Sequence, residues 1–184
     1  MAVQPSAPPT LLGALIAGGR ASRFGSDKAL AIFGGEPLIG RARALLAPHV
    51  ADIVVCGRTW GRLPSVADRP AAGLGPLGGL AGALAHAAAG GYTAVLAIGC
   101  DMPWLPGGLI ESLVARAPAW CADAPVLGCW PAALAEPLAA HLTAGGDRSI
   151  RRWGAAIGGV AIPSPAPLPN INTSGDLAAL RLPA

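Results

Sequence analysis

Short apolar runs alternate along the chain with longer stretches of helical spacing, the signature of βαβ units and a parallel sheet. The run over 11–16 reads as a buried first strand, and a glycine-rich loop over 17–25 follows it. Helical spacing recurs over 37–46, where Pro37 suits the first helical position. Residues 52–55 form a second strand, and an alanine-rich helix over 77–89 is closed by Gly90 and Gly91. The clearest later strand is 94–98, with Asp101 just beyond its carboxyl end. The remaining pattern predicts helices over 106–117 and 132–143, short strands at 125–128 and 160–162, and a last helix over 174–180 capped by Thr173 or Ser174. The expected architecture is α/β: three layers, α/β/α, around a mostly parallel central sheet. It forms a single domain over 11–184 behind a disordered, proline-containing lead at 1–10. In such open sheets ligands bind outside the carboxyl ends of the strands, so the residues that matter follow Ile16, Val55, Ala67 and Ile98.

Composition narrows the function classes. Of 184 residues, 53% are hydrophobic and 12% charged, which excludes an acidic or basic disordered tail. The net charge of +3 is spread without runs of like sign, so no nucleic-acid partner is expected. The apolar stretch 73–91 contains Pro76, His86 and many glycines and alanines, which predicts a buried helix and no membrane span. Residues 1–10 lack the positive start of an export signal, so the expected location is cytoplasmic. Cys56, Cys100, Cys121 and Cys129 show no C-x-x-C spacing and are expected to be buried free thiols.

Two segments carry the chemistry. In the first, Ile16-Ala17-Gly18-Gly19 leads through Ser22-Arg23-Phe24-Gly25 to Asp27-Lys28. Its glycines let backbone N–H groups approach an anion, and its cations supply the charge a triphosphate requires. It fits neither the Walker loop nor the dinucleotide fingerprint, which disfavours an oxidoreductase. Lys28 is the only lysine among thirteen basic residues, which points to a compact, mobile ammonium rather than a solvated surface charge. In the second, Gly99-Cys100-Asp101-Met102-Pro103 follows a buried strand, where Asp101 can hold Mg²⁺ through one oxygen or serve as a turn residue. Opposite the glycine loop, the metal is the stronger reading.

Other segments stay open on the residues alone. Asp68 precedes the glycine-rich turn containing Gly75 and Pro76, whose glycines either admit a base and ribose or pack a helix closely on the sheet. Arg148, Arg151 and Arg152 can grip a second anion or simply form a solvated helix face. Asn170 and Asn172 can face a ligand, although capping of the last helix explains them. No nucleophile–His–acid set is apparent, which argues against triad hydrolysis.

Together with Gly75-Pro76-Leu77, Trp130-Pro131 and Asn170-Ile171-Asn172-Thr173, these motifs occur in one order over about 11–181. The chain thereby resembles the molybdenum cofactor guanylyltransferase family, within the nucleotide-diphospho-sugar-transferase-like fold. The resemblance implies a Rossmann-like nucleotidyltransferase that moves GMP from GTP to the terminal phosphate of molybdopterin, with Mg²⁺ as cofactor. It implies GTP binding by Ile16, Ala17, Gly18, Gly19, Arg23, Lys28, Asp68, Gly75, Pro76 and Asp101. It further implies Lys28 and Asp101 as catalytic, Asp101 as metal ligand, and Arg148, Asn170 and Asn172 on the acceptor side. Implied partners are GTP, the molybdenum cofactor, and other cofactor-biosynthesis proteins or molybdoenzyme chaperones. Cytidylyltransferase relatives tend to carry alanine before a single glycine, so the run at 17–19 implies GTP over CTP, with Gly18 leaving room for a purine. Phe24 stands where the family usually has methionine, the stretch 117–131 is short, and the family's asparagine after the second strand is not found around Cys56-Gly57-Arg58, so no role is carried there. A cytidylyl or sugar-phosphate transferase on the same fold, and a nucleotide binder without turnover, are the alternatives.

Overall fold

Two strands buried along their whole length hold the fold together. The computed structural model describes residues 10–18, 27–169, 171 and 173–180. Strand β1 (Leu11–Ile16) is followed by a 3₁₀ turn (Lys28–Leu30) and a small hairpin of β2 (Ile32–Phe33) and β3 (Glu36–Pro37). Then come α1 (Leu38–Leu46), β4 (Asp52–Cys56), β5 (Ser65–Val66), α2 (Pro76–Gly90) and β6 (Ala94–Gly99). The second half holds α3 (Leu109–Ala115), β7 (Ala119–Cys121), β8 (Gly128–Pro131), α4 (Ala135–Thr143), α5 (Ile150–Ala156), β9 (Val160–Ile162) and α6 (Ser174–Ala179).

The seven-stranded sheet has the order β5-β4-β1-β6-β8-β7-β9. Strands β5, β4, β1 and β6 are parallel, β7 and β9 are parallel, and β8 runs against both of its neighbours. Every residue of β1 and β6 is buried, as befits central strands covered on both faces. Leu12, Ala14 and Ile16 point to the layer of α2, α4 and α5, while Leu11 and Leu15 point to α1 and α3. The expected three-layer α/β/α arrangement is therefore present. The chain turns outward from β1 in both directions, first to β4 and later to β6, which makes the β1/β6 junction the switch point where a ligand crevice opens.

Helix α2 lies unusually close to the sheet because its inner face is glycine. A Cβ on Gly82 would sit 2.1 Å from the Ala67 carbonyl oxygen, and one on Gly79 would sit 3.2 Å from Cys56 Cβ. Within this segment Gly78, Gly79 and Gly82 are packing sites, whereas Gly73 and Gly75 face open space. In the second half, Trp120 stacks on Trp130 at 6.2 Å and Trp130 meets Trp153 at 5.2 Å, which seats α5 against β7 and β8. Ile171 is fully buried against Phe33 and Leu38, so the C-terminal segment returns to the hairpin.

The structure differs from the pattern at several ends. The strand expected at 125–128 is displaced to Gly128–Pro131, because Leu127 closes a turn onto the Ala124 carbonyl first. The helix expected over 106–117 shortens to Leu109–Ala115 behind Gly107 and Gly108. The hairpin, β5 and β7 span two or three residues each, below the length at which alternation can be recognised. Among the described residues no helix is long and apolar enough to cross a membrane.

Candidate active site

The site is assembled from the chain segments that leave the carboxyl ends of β1, β4 and β6. Past Ile16, Ala17 N–H still donates to the Cys56 carbonyl at 3.2 Å. Gly18 then lies against Gly57, where a Cβ would come within 2.6 Å of Gly18 Cα; Gly57 itself turns at φ +80°. A Cβ on Gly18 would in turn point at Gly57 Cα, 3.3 Å away. The two loops therefore pack closely at Gly18 and Gly57, and Gly18 lines the cavity that they border.

The chain re-enters the site at Asp27, whose Oδ1 accepts from Ala29 N–H at 3.2 Å and opens the turn carrying Lys28. Arg58, directly after Gly57, donates to both oxygens of Asp27, with Nη1 2.6 Å from Oδ1. That hydrogen-bonded pair holds the Asp27 carboxyl below the usual carboxylate range and pushes the Arg58 guanidinium up. Beside it, Lys28 Nζ stands 3.4 Å from Asp101 Oδ2. Asp101 lies back over Gly99, where a Cβ would meet its Oδ1 at 2.6 Å and turn the carboxylate aside.

A cavity of about 220 Å³ opens between the ends of β1 and β6, bounded by Ile16, Ala17, Gly18, Lys28, Asp101 and Pro76. Gly75 caps α2 and Pro76 opens it, so the positive end of a fifteen-residue helix faces the cavity. Asp68 stands behind this wall, accepting from Gly73 N–H at 3.3 Å; neither it nor Gly75 lines the cavity. Cys100 is buried with its Sγ 3.9 Å from the Ile16 carbonyl. Burial pushes the Cys56 and Cys100 thiols up to about 12 and Cys129 up to about 11, and all four cysteines are buried free thiols. Burial thus disfavours the thiolate at Cys56, Cys100 and Cys129. Among the described residues no three His, Cys, Asp or Glu side chains converge as a metal cage.

A second cavity of about 650 Å³ joins the first at Asp101 and Val126. Its walls are the loop 123–126 and the proline-rich segment 164–169, tied by Ser164 N–H donating to Asp123 Oδ2 at 2.9 Å. Arg148 is exposed and lines neither cavity. Its neighbours are committed elsewhere: Arg151 donates to the Ala122 carbonyl at 2.6 Å, and Arg152 pairs with Asp147 at 2.8 Å. Gly19, Arg23, Asn170 and Asn172 lie outside the described residues. Gly99 and Arg58, to which the sequence assigned no role, gain one from the structure: Gly99 underlies Asp101, and Arg58 holds Asp27 from the carboxyl end of β4. Nothing in the sequence marked Asp123 or Ser164.

A mostly parallel sheet with a lysine, a carboxylate and a helix N-terminus meeting at its switch point is the arrangement of an α/β protein that binds a phosphorylated ligand. Residues 13–158 match the MobA-like NTP transferase domain. The chain is 38% identical over 181 residues to the molybdenum cofactor guanylyltransferase of Rhodobacter capsulatus, covering 91% of this chain and 93% of that protein. It therefore belongs to the MobA-like, molybdenum cofactor guanylyltransferase family. The fold is shared with molybdopterin-guanine dinucleotide biosynthesis protein A from Archaeoglobus fulgidus, at a TM-score of 0.70 and 20% identity over 91% of this chain and 95% of that one. It is also shared with 2-C-methyl-D-erythritol 4-phosphate cytidylyltransferase from Thermus thermophilus, at a TM-score of 0.65 and 18% identity over 90% and 95% of the two chains.

Proposed function

We propose that the chain transfers GMP from GTP to the terminal phosphate of molybdopterin and releases pyrophosphate. The observation that carries this reading is the facing of Lys28 and Asp101 at 3.4 Å across the β1/β6 crevice. Each satisfies the other until a nucleotide arrives: a triphosphate draws the ammonium away, which frees the carboxylate. The backbone of Ala17 and Gly18, with Gly19 and Arg23, receives the phosphates; Pro76 brings the α2 N-terminus to them, while Gly75 and Asp68 serve the nucleoside end. Asp101 fits a single-oxygen donor to a hard cation, with Asp27 already committed to Arg58 and Ala29. Mg²⁺ bound there would neutralise the charge that develops on the phosphates.

Chemically, an oxygen of the acceptor phosphate attacks the α-phosphorus in line as the bond to pyrophosphate breaks. The acceptor is already an anion, so no general base is required, and Lys28 and the aligned amides stabilise the charge in flight. The second cavity, which shares Asp101 and Val126 with the first, is the assigned acceptor site, and this common wall supports an attacking phosphate beside the nucleotide. Asn170, Asn172 and Arg148 are assigned to acceptor binding by the family resemblance. The protein acts as one domain in the cytoplasm. The test is competition between equal GTP and CTP with molybdenum cofactor as acceptor and Mg²⁺ present. GMP transfer should dominate; preferential CMP transfer overturns the guanylyl assignment.

A further inference from the structure

We propose that Arg58 is a positioning residue for the transfer, aiming Lys28 at the phosphates by closing a two-armed ion pair on Asp27. The inference rests on the transfer reading above. Arg58 is itself firmly held at its base: Gly57 N–H donates to the Val66 carbonyl at 3.1 Å, and Ser65 Oγ donates to the Arg58 carbonyl at 2.8 Å. From that anchor at the end of β4, its planar fork reaches across the end of β1 and engages both Asp27 oxygens, a geometry lysine does not reproduce. Asp27 passes the constraint on, since its Oδ1 also accepts from Ala29 N–H and so closes over Lys28. A 3₁₀ turn of three residues has little stability of its own, so its direction is set by what holds its ends.

Arg58 Nε is buried without a hydrogen-bond partner. The guanidinium is therefore already partly desolvated, and the two charges stand or fall together. Lys28, by contrast, makes one long contact to Asp101 and is free to exchange it for a phosphate. Arg58 does not line the cavity, so its effect on the reaction passes through Asp27.

Lys28 is the only lysine in the sequence, so reductive ¹³C-methylation places an NMR reporter on it that is separable from the N-terminal amine. In Arg58→Ala and in Asp27→Asn the Lys28 methyl signal should move together toward the position it takes in Asp101→Asn. In turnover, Arg58→Ala should lower kcat by roughly 10- to 100-fold, the scale of a misplacement near 1 Å. The double variant Lys28→Ala/Arg58→Ala should be no slower than Lys28→Ala alone. An unmoved Lys28 signal overturns the inference, and so do losses that multiply, which place Arg58 on the substrate or in a purely structural role. Should Arg58→Ala not fold, Asp27→Asn decides, because it keeps the volume and an acceptor oxygen for Ala29. A wild-type protein that transfers no GMP sinks the transfer reading, while the spectral comparison, which needs no substrate, still judges Arg58.

Discussion

Lys28 and Asp101 are 73 positions apart in the chain and 3.4 Å apart in space, because β1 and β6 run parallel with Ile16 level with Gly99. Everything proposed for the reaction depends on that pairing, so it is where substitution should hurt function most and folding least. Lys28→Ala should cost roughly 2–4 kcal/mol of transition-state stabilisation, read from kcat/KM, with an unchanged urea midpoint. Asp101→Asn keeps the volume and loses the charge, so its activity should need far more Mg²⁺; an unchanged Mg²⁺ midpoint would remove Asp101 as metal ligand. Asp27 makes a different prediction, on pH. Its carboxyl is held below the usual range by Arg58, so the stabilisation is complete above the ordinary aspartate value of about 3.9 and is lost as pH falls through the lower folded value. Melting temperatures of wild type and Asp27→Asn should differ by a constant amount near neutrality and converge below about pH 4. A gap that persists into stronger acid would mean that the charge on Asp27 is not what Arg58 holds.

At the scale of elements, α2 governs both stability and the site. Its glycine face lets the helix axis approach β4 and β5, and its first residue, Pro76, lines the nucleotide cavity. Gly82→Ala would set a methyl group 2.1 Å from the Ala67 carbonyl, a backbone atom that cannot rotate away. The cost should reach or exceed the upper end of the about 1–3 kcal/mol typical of overpacking, seen as a lower urea midpoint. Because the helix must shift as a body, GTP affinity should fall with it. For stability alone, Gly75→Ala is the comparison: it meets open space and carries only the strain of a backbone at φ +70° and ψ −160°, a region essentially reserved for glycine, at about 1–3 kcal/mol. Equal effects from the two would mean that α2 adjusts its distance from the sheet freely. The tryptophan stack plays the corresponding part in the second half, where Gly154 lets α5 settle with Trp120 Cζ3 only 2.7 Å from where a Cβ would be.

At the scale of the whole molecule, the site exists only when β1, β4, β6 and α2 are assembled, so a nucleotide binds the native state and not the unfolded chain. GTP with Mg²⁺ at 100 times Kd should add about 2.7 kcal/mol, which for a chain of this size raises the melting temperature by roughly 5–10 °C. A larger shift with CTP than with GTP would reassign the nucleotide. The sequence alone determined β1, β6 and α2, because six-residue apolar runs and a long alanine-rich stretch carry their period within themselves. It also marked Lys28 and Asp101, by residue type and by their place beyond strand ends. Only the tertiary structure decided which cation meets which carboxylate: Arg58 with Asp27 across 31 positions, Lys28 with Asp101 across 73. It alone reversed β8, lined up the two- and three-residue strands, and left Arg148 outside the cavities while Arg151 reached the Ala122 carbonyl. The physical reason is range. Periodicity and capping are settled among residues a few positions apart, whereas ion pairs, close glycine contacts and cavities depend on sheet register and layer spacing, which no short stretch of chain contains.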